Sequence, residues 1–282
     1  MLIRTGWRKR VRYFRASRRL IVVLLLGVGC STIRSVRVEE TTSSTMTADQ
    51  VRRARALGLR LWRQQPRTLP QATNAALMLE QAARALRDDH GALVDAAQAL
   101  AFVAENETRS NLRRDAAQRG IVLARQAREL KPDRVEAHYW YAINVGLLAD
   151  VDRSYGLDAV GEMEAALKRA IEIDETYDHA GPLRVLGILH LRTPGPPASI
   201  GSKRKGLRLL QRAVEQFPDY PENYLYLAEA LRDNDRPDEA RVAAEKVLAA
   251  APWPDRQFES EQWKSAAREL LAAQRGASIT SP

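Results

Sequence analysis

The strongest constraint in this chain is a spacing. Pro218 and Pro252 lie 34 residues apart, and between them Tyr224, Leu227, Ala228, Leu231, Ala240 and Val247 fall at helical intervals. A proline at each boundary ends one helix and opens the next turn. Small residues at Ala228 and Ala240 let two antiparallel helices approach more closely than bulky side chains would allow.

These residues occupy positions 4, 7, 8, 11, 20, 27 and 32 of a tetratricopeptide unit, with the boundary proline last. The preceding pair fits with an insertion. Leu183, Leu186, Gly187 and His190 take positions 4, 7, 8 and 11, and Gly206, Leu210, Ala213 and Pro218 take 20, 24, 27 and 32. Seven extra residues therefore lie between its two helices. Further back, Leu167, Ala170 and Glu175 take positions 24, 27 and 32, and Ala124, Ala127 and Pro132 end the unit before that. The steps 132 to 175 and 175 to 218 are both 43 residues. Long inter-helix loops are expected at 150–156 and 192–202, clustered on one rim.

From Ala48 onward almost every segment has the 3.6-residue period, and none has strand alternation. The reading is an all-α, tetratricopeptide-like solenoid of about eleven helices: 48–64, 70–87, 90–104, 108–130, 134–149, 157–173, 179–191, 203–217, 221–233, 237–250 and 259–275. Stacked helical pairs leave a concave inner face. Helix 259–275 is expected to cap the stack, and 276–282 to be a disordered tail.

The N-terminus is of another kind. Residues 1–20 hold Arg4, Arg8, Lys9, Arg10, Arg12, Arg15, Arg18 and Arg19 and no acid, which accounts for nearly all of the formal charge of +9. The rest of the chain is close to neutral, so the charge argues for an address label and not for nucleic-acid binding. A short apolar run, Leu20 to Val28, ends at Gly29 and Cys30, the single cysteine. It is shorter than the about 20 residues a membrane-spanning helix needs. Residues 1–29 read as a lipoprotein-type signal peptide with Cys30 as the lipidated residue; an uncleaved anchor is the alternative. Gly27 stands where a lipobox usually has Leu. Ser17–Arg19 is similar to a twin-arginine signal, but an ordinary basic region explains it. Residues 31–47 are rich in Ser and Thr and read as a flexible tether. Ser31 favours the outer membrane over the inner, by the sorting pattern of bacterial lipoproteins.

One cysteine excludes an internal disulfide framework. His90, His138, His179 and His190 show no metal-ligand spacing on one helix. Gly195 to Lys203 fails the phosphate-loop pattern, since five residues separate its glycines and no strand precedes it. No nucleophile, base and acid fall into a catalytic context, so neither an enzyme nor a cofactor is expected.

Candidate binding residues follow from the repeat register. Arg184, at position 5, is expected on the concave face, with Ile188 and Leu191 one and two turns on. A guanidinium beside an apolar stripe suits a carboxylate with a hydrophobic tail. The competing reading is a structural ion pair to Glu164 or Glu222. Tyr139, Trp140 and Tyr141 are consecutive and cannot share one face. Trp140 and Asn144, one turn apart, could offer a ligand an aromatic wall and an amide. Asn223 opens the next repeat, as a ligand contact or as a helix-start or inter-repeat hydrogen bond.

Several stretches resemble the T-component (TatT-like) lipoproteins of TRAP transporters. They are Tyr177–Arg184 (YDHAGPLR) with Leu186-Gly187, Pro194–Ser202 (PGPPASIGS), Tyr220–Glu229 (YPENYLYLAE) and Tyr139–Ala142 (YWYA). The likeness covers about 90–270 and is strongest over 155–235. It implies a lipid-anchored, periplasm-facing homotrimer with a ligand-sized channel in each protomer. It also implies docking to a periplasmic solute-binding protein, the P component, and a cargo of small hydrophobic or amphipathic organic acids. The alternative is a general tetratricopeptide scaffold lipoprotein that joins envelope proteins and has no ligand of its own.

Overall fold

The computed structural model describes residues 46–279. The expected signal peptide, Cys30, nearly all of the tether and residues 280–282 lie outside the described residues. Eleven α-helices make up the described part: α1 Ala48–Arg63, α2 Leu69–Ala85, α3 His90–Asn106, α4 Ser110–Leu130, α5 Val135–Val151, α6 Gly156–Asp174, α7 Tyr177–Arg192, α8 Lys203–Gln216, α9 Pro221–Asp233, α10 Pro237–Ala249 and α11 Gln257–Ile279. α11 therefore runs into the expected tail. None of the described helices is long and apolar enough to cross a membrane.

The helix ends have local causes. Thr47 and Gln50 form a reciprocal capping box at α1, and Thr68 and Gln71 form another at α2. Asp89 accepts from the Ala92 amide and starts α3. Pro221 and Pro237 open α9 and α10, where a missing amide hydrogen costs nothing. Pro132, Pro218 and Pro252 each follow a helix end, as their spacing predicts.

Successive helices pack as antiparallel neighbours, and the odd-numbered helices also touch one another: α1 with α3, α3 with α5, α5 with α7, α7 with α9, and α9 with α11. That pattern defines an inner layer of odd helices and an outer layer of even ones. α5 is enclosed by α3, α4, α6 and α7. Tyr139, Trp140 and Tyr141 are all buried for that reason, since a helix surrounded on every side has no face left for solvent.

The insertion in the α7–α8 unit falls where the register places it. A Cβ on Gly187 would lie 3.2 Å from the Gly206 carbonyl oxygen, and one on Gly206 would lie 2.8 Å from the Gly187 carbonyl oxygen. The two small positions thus face each other despite the extra residues. The loop before α8 is tied down by Gly201 N–H to Pro194 O at 2.8 Å and by His190 Nδ1 against Ile200 O at 2.9 Å.

The loop expected at 150–156 is not formed. α5 continues to Val151, and Asp152 with one 3-10 turn, Arg153–Tyr155, leads into α6. The extra length of this unit is helical: α5 and α6 have 17 and 19 residues, against 13 each in α9 and α10.

Two large hydrophobic clusters fill most of the stack, with two small ones beside them. One large cluster runs from α2 to α7 and the other large one from α7 to α11. α7 is the seam, giving Val185, Leu186 and Leu189 to the first and Ile188 to the second. α11 caps the stack through Trp263, Ala266, Ala267, Leu270 and Leu271. Its head turns back across the inner face: Gln65 Nε2 donates to Asp255 O at 2.7 Å, and Gln262 Nε2 donates to Asn106 Oδ1 at 2.9 Å.

Candidate functional site

The inner face is most elaborate at the start of α7. Asp178 (φ 50°, ψ 45°), His179 (φ 57°, ψ 53°) and Ala180 (φ 61°, ψ 34°) are consecutive left-handed residues. Each costs roughly 1–2 kcal/mol for a residue with a Cβ. The right-handed helix begins only at Gly181, so Pro182 sits in its first turn. A Cβ at Gly181 would lie 2.7 Å from the Tyr139 hydroxyl, which explains the missing side chain there.

This reversed turn aims two carbonyls at Arg184. Its Nη1 donates to His179 O at 3.1 Å and to Asn223 Oδ1 at 2.9 Å. Nη2 meets Asp178 Oδ2 at 3.2 Å and Glu222 Oε2 at 3.3 Å. Asp178 also accepts from the Tyr139 hydroxyl at 2.6 Å and pairs with Arg256, just before α11. Asn223 completes the junction by donating to His179 O at 3.2 Å and Ala213 O at 3.1 Å. Arg184, Glu222 and Asn223 are fully buried.

Aromatic rings surround the same point. His179 stacks on Tyr220 at 4.3 Å and 10°, with Trp253 edge-on to both at 5.1 Å. Trp140 Nε1 donates to the Tyr177 hydroxyl at 3.0 Å. Across the groove, Arg67 lies over the Trp62 ring at 3.9 Å and pairs with buried Glu259 at 2.9 Å.

The electrostatics follow from this crowding. Burial opposes the Asp178 charge, but Arg256, then Arg184 and the Tyr139 hydroxyl, outweigh it and hold the carboxyl at about 2. Burial, with the Asp178 charge, pushes the Tyr139 phenol well above its ordinary range. Burial depresses His179; the Arg256 and Arg184 charges depress it further, and Asp178 partly offsets them. Tyr220 is raised by burial to about 12.

The sequence-derived candidates separate on this structure. Arg184 and Asn223 come together, in direct contact. Trp140 is joined to them through Tyr139, its ring 5.0 Å away. Asn144 is elsewhere: buried, it donates to Ala97 O at 3.2 Å and Trp140 O at 2.8 Å. Ile188 is core between α7 and α9. Leu191 is half-buried and presses on Gly206. Of the two ion-pair partners considered for Arg184, Glu222 is the one engaged, while Glu164 pairs with Lys168. The Arg184 guanidinium is occupied by the protein's own groups, and Asn223 makes the inter-repeat contact.

Sequence reasoning missed Asp178, Tyr139 and Arg256 as one cluster, and Arg67 with Glu259 as another. Asp178 lies in the YDHAGPLR stretch and Glu222 in YPENYLYLAE, so charge at repeat starts was a usable signal. Arg256 and Glu259 follow a proline-flanked Trp253, and no local pattern joins them to α7 or Arg67.

The stack is similar in fold to a solved tetratricopeptide structure. TTC0263, a thermophilic TPR protein of Thermus thermophilus, aligns at 19% identity over 78% of this chain and 99% of its own, with a TM-score of 0.57. The fold is tetratricopeptide-like. MamA from Desulfovibrio magneticus RS-1 aligns at 18% identity over 72% and 96% of the two chains, with a TM-score of 0.44. The family model described as "Regulator of microtubule dynamics protein 1-3" matches residues 64–190, less than half of the chain. No curated protein matches the sequence.

Proposed function

We propose that this chain is a non-enzymatic docking protein. Its tetratricopeptide-like superhelix would hold polypeptide partners on its inner face, and lipidated Cys30 with its tether would keep that superhelix close to a membrane facing the periplasm. The observation that carries the reading is the inner layer of odd-numbered helices, continuous from α1 to α9, which is a surface for binding extended or helical segments. The residues first considered for a small ligand are engaged inside the protein, which favours a protein partner over an organic acid.

A second, finer reading is an accessory role in a TRAP-type system, with a solute-binding protein as partner, an organic-acid cargo and a homotrimeric assembly. It is favoured by one observation: YDHAGPLR and YPENYLYLAE, two of the stretches that resemble the T-component lipoproteins, meet through Arg184, Glu222 and Asn223. The likeness thus includes the most specialised junction of the fold.

Affinity capture with residues 31–282 from periplasmic extract after mild crosslinking tests both. One solute-binding protein, with or without an organic acid, would support the accessory role. Envelope-assembly proteins without a small molecule would support the general scaffold. Recovery of no protein at all would sink both. A Cys30→Ala chain should leave the membrane fraction; its retention there would point to an uncleaved anchor.

A further inference from the structure

The concave face is already occupied. The strap Pro252–Gln262 crosses it, inserting Trp253 against His179 and Tyr220, Arg256 against Asp178, and Phe258 against Phe102 at 5.9 Å. We propose that this groove is a docking site read by the Asp178 carboxylate, that it fits a polypeptide segment presenting an arginine between aromatic side chains, and that the strap is its displaceable resident. This rests on the docking reading above.

Three features separate the strap from ordinary core. First, beside the ring contacts of Trp253 and Phe258, three polar contacts fix the strap: Arg256 to Asp178, Glu259 to Arg67, and Gln262 to Asn106. A buried ion pair returns little net stability, because the attraction is spent on desolvation. The body of α11, from Trp263 to Leu271, has instead a continuous apolar seat on α9 and α10. The strap can therefore lift while the cap stays. Second, residues 251–256 hold no helix, and Pro252 and Pro254 cannot donate, so few main-chain bonds tie this segment down. Third, Asp178 is presented by a backbone in a costly left-handed turn. Strain of that kind persists where a side chain must be aimed. A buried carboxylate is a partner for a guanidinium, and the Arg256–Asp178 ion pair, with Trp253 three residues earlier against His179 and Tyr220, shows the pose.

Native-state hydrogen exchange on the unmodified protein is the first test. The Arg256 and Ser260 amides, bonded to Trp253 O and Arg256 O, should exchange at least about tenfold faster than those of α5, through an opening that leaves the core protected. The second test uses a fluorescent peptide of residues 251–264 and the full chain carrying Arg256→Ala and Phe258→Ala. That chain should bind the peptide at least about tenfold more tightly than the unmodified protein does. Adding Asp178→Asn, or placing Ala at the peptide's arginine, should abolish the gain. A folded opened chain that ignores the peptide overturns the inference. So does strap exchange only at the global unfolding rate, a result that stands even if the substituted chain does not fold. That last outcome leaves the docking reading to the capture experiment, so the two can fail separately.

Discussion

Arg67 and Glu259 are 192 positions apart in the chain, yet their side chains meet at 2.9 Å with almost no exposure on either side. The α1–α2 connection is thereby latched to the head of α11, and the superhelix is closed on its inner side. Breaking such a pair by removing one partner leaves an uncompensated buried charge. Arg67→Ala and Glu259→Ala should each cost about 3–5 kcal/mol. Replacing both together, as Arg67→Met with Glu259→Leu, should cost less than either single change. Urea unfolding followed by circular dichroism gives all three values. A double replacement costing the sum of the two single changes would show that the residues do not act as a pair.

Arg184→Ala is expected to act on stability before anything else. Arg184 satisfies Asp178, Glu222, Asn223 and the His179 carbonyl from one fully buried guanidinium. Its loss should cost about 3–5 kcal/mol. Arg184→Lys should rescue little, because one ammonium cannot span a planar fork of acceptors. Thermal unfolding of the two variants measures this. An unchanged melting temperature with lost binding of an organic acid would return Arg184 to the role of ligand contact.

The facing glycines of the α7–α8 unit make a steric prediction. A methyl group on Gly206 would meet the Gly187 carbonyl at 2.8 Å and Leu191 at the same distance. Backbone cannot rotate away as a side chain can. Gly206→Ala should cost about 1–3 kcal/mol by overpacking, whereas alanine at exposed Gly161, with nothing within 4 Å, should be neutral or stabilising. Denaturation midpoints of the two variants distinguish these outcomes.

That glycine pair also shows why so much of the fold was legible. Small residues at set intervals, apolar residues at 3.6-residue spacing and prolines at boundaries are local signals, and they located all eleven described helices. They failed at 150–156, because the same surplus of residues can form a loop or lengthen two helices. The interior of α5 was legible only in part: three consecutive aromatic residues show that one face is not enough, but not that every face is covered. The site was least legible. Position 5 of the repeat places Arg184 toward the groove, and the prediction of a ligand there assumed an empty groove. The strap that fills it lies about 70 residues further on, and its Arg256–Asp178 pair spans 78 positions. Pairings of that separation leave no periodic trace in a single sequence.

Acid should destabilise the protein in two steps. His90, His138, His179 and His190 are all depressed below the ordinary 6.5, each chiefly by desolvation. A histidine with a lowered folded value binds protons more readily when unfolded. Stability is therefore full above about pH 6.5 and falls as pH drops below it. The second step comes from carboxyls held low, with buried Asp178, at about 2 against an ordinary 3.8, the foremost and the more exposed Asp89, Glu107, Glu136 and Asp152 adding to it; their contribution is lost as pH falls below about 4. Melting temperatures across this range should show one decline beginning near pH 6.5 and another below pH 4. His90 is the simplest to isolate, since its Nε2 is buried without a partner. His90→Leu should make the upper decline shallower by up to one proton, while Asp178→Asn should make the lower step shallower at a cost in stability at neutral pH. An unchanged slope in His90→Leu would place the upper step on the other three histidines.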